Sequence, residues 1–164
     1  MRGRCLMLLA LASFAAAASA AGPPVLAVVV AADRPVESLQ VQDLGLVFKR
    51  KRQFWGDGQR IQPVNLPPDH GLRRLFLRSV LRLSSEAQED YWNEQYFHGV
   101  LPPHVLRSEA AVARFVAETR GGIGYLSPCL VDARLRVLLV LDGEGRAVEP
   151  PRPGDCGAAA GGGR

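Results

Sequence analysis

The sequence contains none of the short motifs that mark common enzyme classes. Its 164 residues include no Gly-x-Ser-x-Gly nucleophile turn and no phosphate-binding loop. The three histidines, His70, His98 and His104, do not have the spacing of a metal site. We therefore expect a non-enzymatic protein that needs neither a cofactor nor a metal ion.

A strong net charge is also absent. Twenty basic residues against 16 acidic ones give +4, and loss of Arg2 and Arg4 would leave 18 − 16 = +2. Such a small excess does not indicate nucleic acid or a membrane surface as the partner. The basic run 49–52 with Phe54 and Trp55 resembles a platform for single-stranded nucleic acid. We interpret it instead as a solvated helix end, with Trp55 packed over the turn that follows, and expect no nucleic-acid partner.

The longest apolar run begins near the start of the chain and is too short to cross a membrane. Arg2 and Arg4 lead into apolar residues 5–17, and Ala18-Ser19-Ala20 has the small side chains of a cleavage site. About 13 apolar residues fall short of the ~20 that a spanning helix needs. We predict a cleavable signal peptide at residues 1–20, and no membrane span after cleavage.

Cysteine is scarce in the chain that remains after cleavage. Cys129 and Cys156 would enter a compartment that permits disulfides, so pairing and free thiols both stay open. Cys156 lies in the Pro-, Gly- and Ala-rich segment 149–164, whose composition buries too little apolar surface to fold. We predict a disordered tail over residues 149–164 and a folded domain over 24–148.

Strand and helix patterns alternate along this domain. The apolar run Val25–Val30 predicts a strand buried on both faces, and hence a parallel or mixed sheet. Apolar spacing and capping residues predict helices that begin at Ser38, near Gly71, at Ser85 and at Ser108. Further strands are predicted at 61–64, 123–126 and 135–141, the first at an edge or strand end because of Pro63. The order predicts an α/β fold, a small mixed sheet with flanking helices.

The loop between the predicted strand at 61–64 and its following helix could hold an anion. Backbone N–H groups at a helix start attract negative charge. However, Pro67 and Pro68 have no N–H, and Asp69 is placed to cap the helix and repel an anion. A plain N-cap and an oxyanion site both remain open at this loop.

Several motifs, in chain order, resemble the phosphate transporter substrate-binding family. They lie between about residues 25 and 141 and include Trp55-Gly56-Asp57-Gly58, Ile61-Gln62-Pro63-Val64-Asn65, Tyr91-Trp92 and Gly121-Gly122-Ile123-Gly124-Tyr125. The chain is similar to the short, single-lobe members of that family, which are related to periplasmic binding proteins of type II. The resemblance implies a single lobe of that fold, a periplasmic location, and an association with phosphate uptake through an ABC transporter and its permease.

The resemblance also implies where the ligand would lie. The full-length receptors grip the anion with a loop that resembles Arg-Ser-x-x-Ser-Gly-Thr, and the matching residues 66–72 share only Gly71. Since that arginine and those hydroxyls are missing, we expect binding of phosphate or a similar oxyanion to be weak or absent. The implied anion-facing residues are Asn65, His70, Gly71, Arg73, Gly124 and Tyr125.

A second hypothesis follows from the same substitutions. The chain would keep the lobe without its ligand and act as an interaction module in the cell envelope. It would then present Trp55 and the basic run 49–52 to an envelope protein.

Overall fold

The structure, a computed structural model, describes residues 24–35, 39–152 and 156. The predicted signal peptide and Ser38 lie outside these residues. Strands and helices alternate, and the predicted α/β fold is confirmed. In chain order the elements are β1 (Leu26–Ala31), α1 (Val41–Phe48), β2 (Gln62–Asn65), α2 (Gly71–Phe76), a π-helical turn (Leu77–Leu81), α3 (Ser85–Phe97), β3 (His104–Val105), α4 (Glu109–Glu118), β4 (Gly122–Leu126), a 3₁₀ turn (Pro128–Leu130) and β5 (Leu135–Leu141).

The five strands form one mixed sheet in the order β3-β2-β4-β1-β5. β2 runs parallel to β3 and β4, whereas β1 is antiparallel to β4 and β5. β1 is fully buried from Leu26 to Val30, as its apolar run predicts. Pro63 lies inside β2 but is tolerated, because β3 pairs only with Val64 and Asn65 beyond it.

Several helix starts differ from the predicted positions. The described part of α1 begins at Val41, where the Gln40 backbone N–H donates to the Asp43 carboxylate at 2.9 Å. α3 is capped by Ser84 and not by Ser85, since the Ser84 hydroxyl accepts the Ala87 N–H at 3.1 Å. α4 begins after Ser108 as predicted, and α3 ends at Phe97, next to the predicted His98.

The segment from Gly71 to Leu81 is less regular than the single helix predicted from its apolar spacing. It changes from α to π geometry at Leu77. Ser79 lies in the π turn, where its hydroxyl donates to the Leu75 carbonyl at 2.8 Å. The Ser79 carbonyl packs so closely on Gly145 that a Cβ there would lie 2.3 Å from it. This contact fixes the π turn against the loop that follows β5.

A disulfide joins Cys129 to Cys156, which settles the pairing that the sequence leaves open. It ties the chain beyond β5 to the 3₁₀ turn after β4. The disordered tail at 149–164 and the domain boundaries stay predictions, because much of that tail lies outside the described residues.

A carboxylate closes the turn after β5. Asp142 is buried and accepts the backbone N–H groups of Glu144 at 3.0 Å and Arg146 at 2.9 Å. The Arg146 Nε donates to the same carboxylate at 2.7 Å. The backbone N–H of Arg146, the largest of these effects, holds the pKa of Asp142 below its ordinary value of 3.8.

We expect Asp142→Asn to lower the melting temperature at pH 7. A lowered folded-state pKa gives a stability contribution that is present above the unfolded pKa and is lost as pH falls through the folded pKa. The difference in melting temperature between parent and variant should therefore narrow below about pH 4. Circular dichroism melts from pH 2 to pH 8 measure it. A difference that stays constant over this range would contradict the assignment.

Candidate functional site

Three buried polar side chains meet at the carboxyl ends of β2 and β4. Asn65 ends β2, Tyr125 lies near the end of β4, and Arg73 comes from the first turn of α2. Each is less than one-tenth exposed. Because β2 and β4 are parallel neighbours, both strands end at the same edge of the sheet. We call these three residues the polar triad.

Hydrogen bonds connect the triad through the Asn65 side-chain oxygen. The Tyr125 hydroxyl donates to Asn65 Oδ1 at 3.3 Å and accepts the Leu66 backbone N–H at 3.4 Å. Arg73 donates one N–H to the same Asn65 oxygen at 2.5 Å. Burial raises the pKa of Tyr125 above its ordinary value of 10.0. The tyrosine therefore stays neutral and able to donate at physiological pH.

The aromatic core holds Tyr125 in place. Its ring stacks on Phe76 with centroids 4.3 Å apart and an interplanar angle of 4°. Phe48 of α1 lies against both rings, with centroids 4.6 Å and 5.9 Å away. The position of the hydroxyl is therefore fixed by side chains from α1, α2 and β4.

The start of α2 is closed by side chains of the chain itself. His70, and not Asp69, is the N-cap, because its Nδ1 accepts the Leu72 N–H at 3.2 Å. The other ring nitrogen of His70 lies 3.6 Å from a Glu109 carboxylate oxygen, too far for a hydrogen bond but close enough for an ion pair when protonated. Glu109 also accepts the Ser127 N–H at 2.5 Å. The plain N-cap is therefore the arrangement found, with a different residue as the cap.

Three of the predicted site residues do not join the triad: the N-cap His70 and two glycines. Gly71 is exposed at the first position of α2. Gly124 is buried in β4, where an added Cβ would lie 2.6 Å from Val112 Cγ1 and 3.1 Å from Val64 Cγ2. Gly124 thus lets α4 pack closely on the sheet. Sequence reasoning missed Glu109, although its place after the N-cap Ser108 shows that it begins a helix.

Gly124→Ala should destabilise the fold by about 1–3 kcal/mol, because the new methyl group overlaps Val112. Gly45→Ala is the matched control, since Gly45 lies inside α1 with no heavy atom near an added Cβ. The control should gain about 0.5–1 kcal/mol from helix propensity. Urea denaturation measures both free energies of unfolding. Equal effects of the two substitutions would contradict the packing role of Gly124.

Tyr125→Phe should cost about 1–3 kcal/mol, because it leaves the buried Leu66 N–H without this acceptor. Tyr96→Phe, at a side chain that is 65% exposed, should stay within about 0.5 kcal/mol of the parent protein. The free energies of unfolding in urea decide the comparison. A neutral Tyr125→Phe would show that the hydroxyl does not hold the triad.

Arg73 is a buried cation with no carboxylate partner among the described residues. Its side chain lies beside a cavity that residues of α2 and α3 line together. Within the described residues, no ion pair joins it to a carboxylate. Its uncharged acceptors, Asn65 Oδ1 and the Tyr125 hydroxyl, replace only part of the hydration that the guanidinium loses on burial.

A cavity of about 370 Å³ lies beside Arg73, between α2 and α3. Arg73 and Arg74 contribute to its α2 wall, and Glu89 and Trp92 to its α3 wall. The sequence does not indicate that Arg73 and Trp92 line the same cavity, because 18 residues separate them in the chain.

A second cavity, of about 450 Å³, lies near the start of β4 and shows a different charge balance. Its buried cation, Arg34, donates to the Asp57 carboxylate at 3.0 Å and lies over the Trp55 ring at 4.7 Å. The pKa of Asp57 is lowered, mainly because its carboxylate accepts the Gln59 backbone N–H and also because it lies beside the Arg34 guanidinium. Arg34 is thus paired with a carboxylate, although its Nε is buried without a hydrogen-bond partner, whereas no carboxylate among the described residues pairs with Arg73.

Membrane-spanning helices and metal-binding clusters were both sought among the described residues. In this part of the chain, no helix has the length and apolar character needed to span a bilayer. No group of three or more His, Cys, Asp or Glu side chains is placed to hold a metal ion there.

Comparison with known sequences gives no family assignment. No protein-family model matches the chain. Among curated proteins, 77 residues match the methylenetetrahydrofolate–tRNA-(uracil-5-)-methyltransferase TrmFO of Anaeromyxobacter sp. (strain Fw109-5) at 30% identity. The match covers 47% of this chain but only 17% of that enzyme, so the chain spans less than a fifth of this relative.

Solved structures show the fold that the chain shares. A phosphate ABC transporter substrate-binding protein with bound phosphate from Clostridium perfringens matches with a TM-score of 0.58 and 17% identity, over 70% of this chain and 44% of that one. An ABC-type phosphate transport receptor from Vibrio cholerae matches with a TM-score of 0.57 and 24% identity, over 70% and 45%. The chain thus spans less than half the length of either protein. Its described domain has the fold of a single lobe of a periplasmic binding protein of type II.

Proposed function

We propose that the chain is an exported, non-enzymatic binding protein for phosphate or a similar small oxyanion, associated with an ABC transporter in the periplasm. Two solved structures that share its fold are phosphate transport proteins. The observation that carries the proposal is the buried guanidinium of Arg73, which has no carboxylate partner among the described residues. It lies at the edge of the sheet where the resemblance implies the ligand.

An anion beside Arg73 would offset the cost of burying its charge. Removing a cation from water without a charged partner is unfavourable, and an amide oxygen replaces only part of the lost hydration. An oxyanion would supply charged hydrogen-bond acceptors for N–H groups that do not face Asn65. The triad and Arg74 would then face the anion, whereas His70 and Gly71 lie at the start of α2.

The same geometry argues against an anion directly on the start of α2. His70 occupies the Leu72 N–H, and the Glu109 carboxylate next to it would repel negative charge. We therefore place the anion at Arg73, away from the loop position that the full-length receptors use. The arginine missing at position 66 would be replaced by one from position 73, and binding would be weak compared with that of a two-lobed receptor.

A periplasmic location fits two features of the chain. The start of the sequence has the pattern of a signal peptide. The Cys129–Cys156 disulfide is typical of an oxidising compartment.

The interaction-module hypothesis is favoured by one observation, the exposed Phe54 next to the basic run 49–52. Its original form needs a correction, because Trp55 is buried and its indole N–H donates to the Gly121 carbonyl at 3.3 Å. Arg50 and Arg52 are also engaged, the first with the Ile61 carbonyl and the second with Asp43. Phe54 and Lys51 would be the side chains offered to a partner.

Arg73→Gln should weaken anion binding by at least about tenfold, because it removes a charged hydrogen-bond donor. Calorimetric titration with phosphate and sulfate at low ionic strength measures the affinity. Glutamine keeps a donor for Asn65 and removes a buried charge, so the melting temperature of the ligand-free protein should not fall.

Arg78→Gln is the matched control, since Arg78 is an exposed arginine of the π-helical turn that continues α2 and is not among the residues that line the cavity beside Arg73. It should change the affinity by less than about threefold. If the parent protein gives neither binding heat nor thermal stabilisation at millimolar phosphate or sulfate, the oxyanion function is wrong and the interaction module takes its place.

A further inference from the structure

The cavity next to Arg73 is much larger than an inorganic oxyanion. Phosphate has five heavy atoms, whereas cavities above about 300 Å³ accommodate whole organic ligands. The space between α2 and α3 is about 370 Å³. A phosphate ion at Arg73 would therefore leave most of this cavity filled with water.

The two walls of the cavity differ in chemistry. The α2 wall carries the two cations Arg73 and Arg74, of which Arg74 also donates to the Asp69 carbonyl. The α3 wall carries one carboxylate, Glu89, together with neutral hydrogen-bonding groups of Ser85, Gln88 and Asn93. A ligand that fits both walls has an anionic group at one end and hydrogen-bond donors at the other.

An aromatic side chain contributes to the α3 wall. Trp92 lines the cavity and is only partly exposed, and its ring meets the Tyr91 ring edge-on with centroids 5.0 Å apart. The Tyr91 hydroxyl donates to the Lys49 carbonyl at 2.7 Å, which fixes α3 to the end of α1. Trp92 is thus supported from behind and offers apolar surface to the C–H groups of a ligand.

We propose that this cavity binds a phosphate monoester of a hydroxylated body, a polyol phosphate or sugar phosphate. The phosphate group lies at Arg73, the carbon skeleton lies against Trp92, and the hydroxyl groups donate to Glu89 and exchange hydrogen bonds with its polar neighbours. This inference rests on the proposed function, because it keeps Arg73 as the residue that holds the oxyanion. Glu89 favours the ester, since its carboxylate accepts from hydroxyl groups and repels a second anionic group.

Titration of the purified mature protein with four probes tests the inference. These are glycerol 3-phosphate, glucose 6-phosphate, inorganic phosphate and glucose. At least one ester should bind at least tenfold more tightly than inorganic phosphate, and glucose should give no binding heat. Trp92→Ala should weaken binding of that ester at least tenfold and change phosphate affinity less than threefold.

Tyr96→Ala is the matched control, because Tyr96 is an exposed aromatic residue of the same helix and is not among the residues that line the cavity. It should leave both affinities unchanged within threefold. Glu89→Gln gives a second readout, in which the preference for the ester over inorganic phosphate falls at least threefold.

The outcomes separate this inference from the proposed function. If inorganic phosphate binds as tightly as both esters, or if Trp92→Ala weakens phosphate and ester equally, the sugar-phosphate inference is wrong and the oxyanion function stands. If neither phosphate, sulfate nor either ester binds, the proposed function fails, and this inference fails with it.

Discussion

The Tyr125 hydroxyl, buried between the ends of two parallel strands, is the constraint on which the edge of the sheet at the carboxyl ends of β2 and β4 depends. A buried hydroxyl is costly unless it is hydrogen-bonded. Here it links the backbone after β2 to the Asn65 side chain, and Asn65 in turn accepts from Arg73. The end of β2, the end of β4 and the first turn of α2 are therefore held by one connected set of bonds. Such a set is stable only when every member has a partner.

The elements with strong local signals were predictable. β1 follows from an unbroken apolar run, because five consecutive apolar residues, three of them β-branched, are typical of a strand buried on both faces. α4 follows from the serine at position 108, whose hydroxyl satisfies a free N–H at the helix start wherever the helix packs. β3 has no comparable signal, since two exposed residues show no periodicity, and its pairing with β2 depends on contacts distant in sequence.

The site was less predictable, for physical reasons that particular residues show. Asp69 is the stronger capping residue by local chemistry, but the cap is His70, and Arg74 donates to the carbonyl of Asp69. The burial of Arg73 had a signal, because Phe76, Leu77 and Val80 follow it by three, four and seven residues along one helix face. Arginine is usually a surface residue, and this expectation obscured the spacing. The cavity had no sequence signal, since its walls come from two helices whose packing depends on contacts distant in sequence.

The two buried arginines among the described residues, Arg34 and Arg73, differ in the groups that surround their charge. Arg34 lies on Trp55 and donates to a carboxylate of the same chain, so a further anion there would compete with Asp57. Arg73 has two uncharged acceptors, Asn65 Oδ1 and the Tyr125 hydroxyl, and borders open space, so an anion there would break no ion pair among the described residues. Burial of a charged side chain without an oppositely charged partner is unfavourable. The lack of a charged partner would increase the free energy gained on anion binding, because the anion would replace the hydration that the guanidinium loses on folding. Of the two arginines, Arg73 is therefore the one at which we propose that an anion binds.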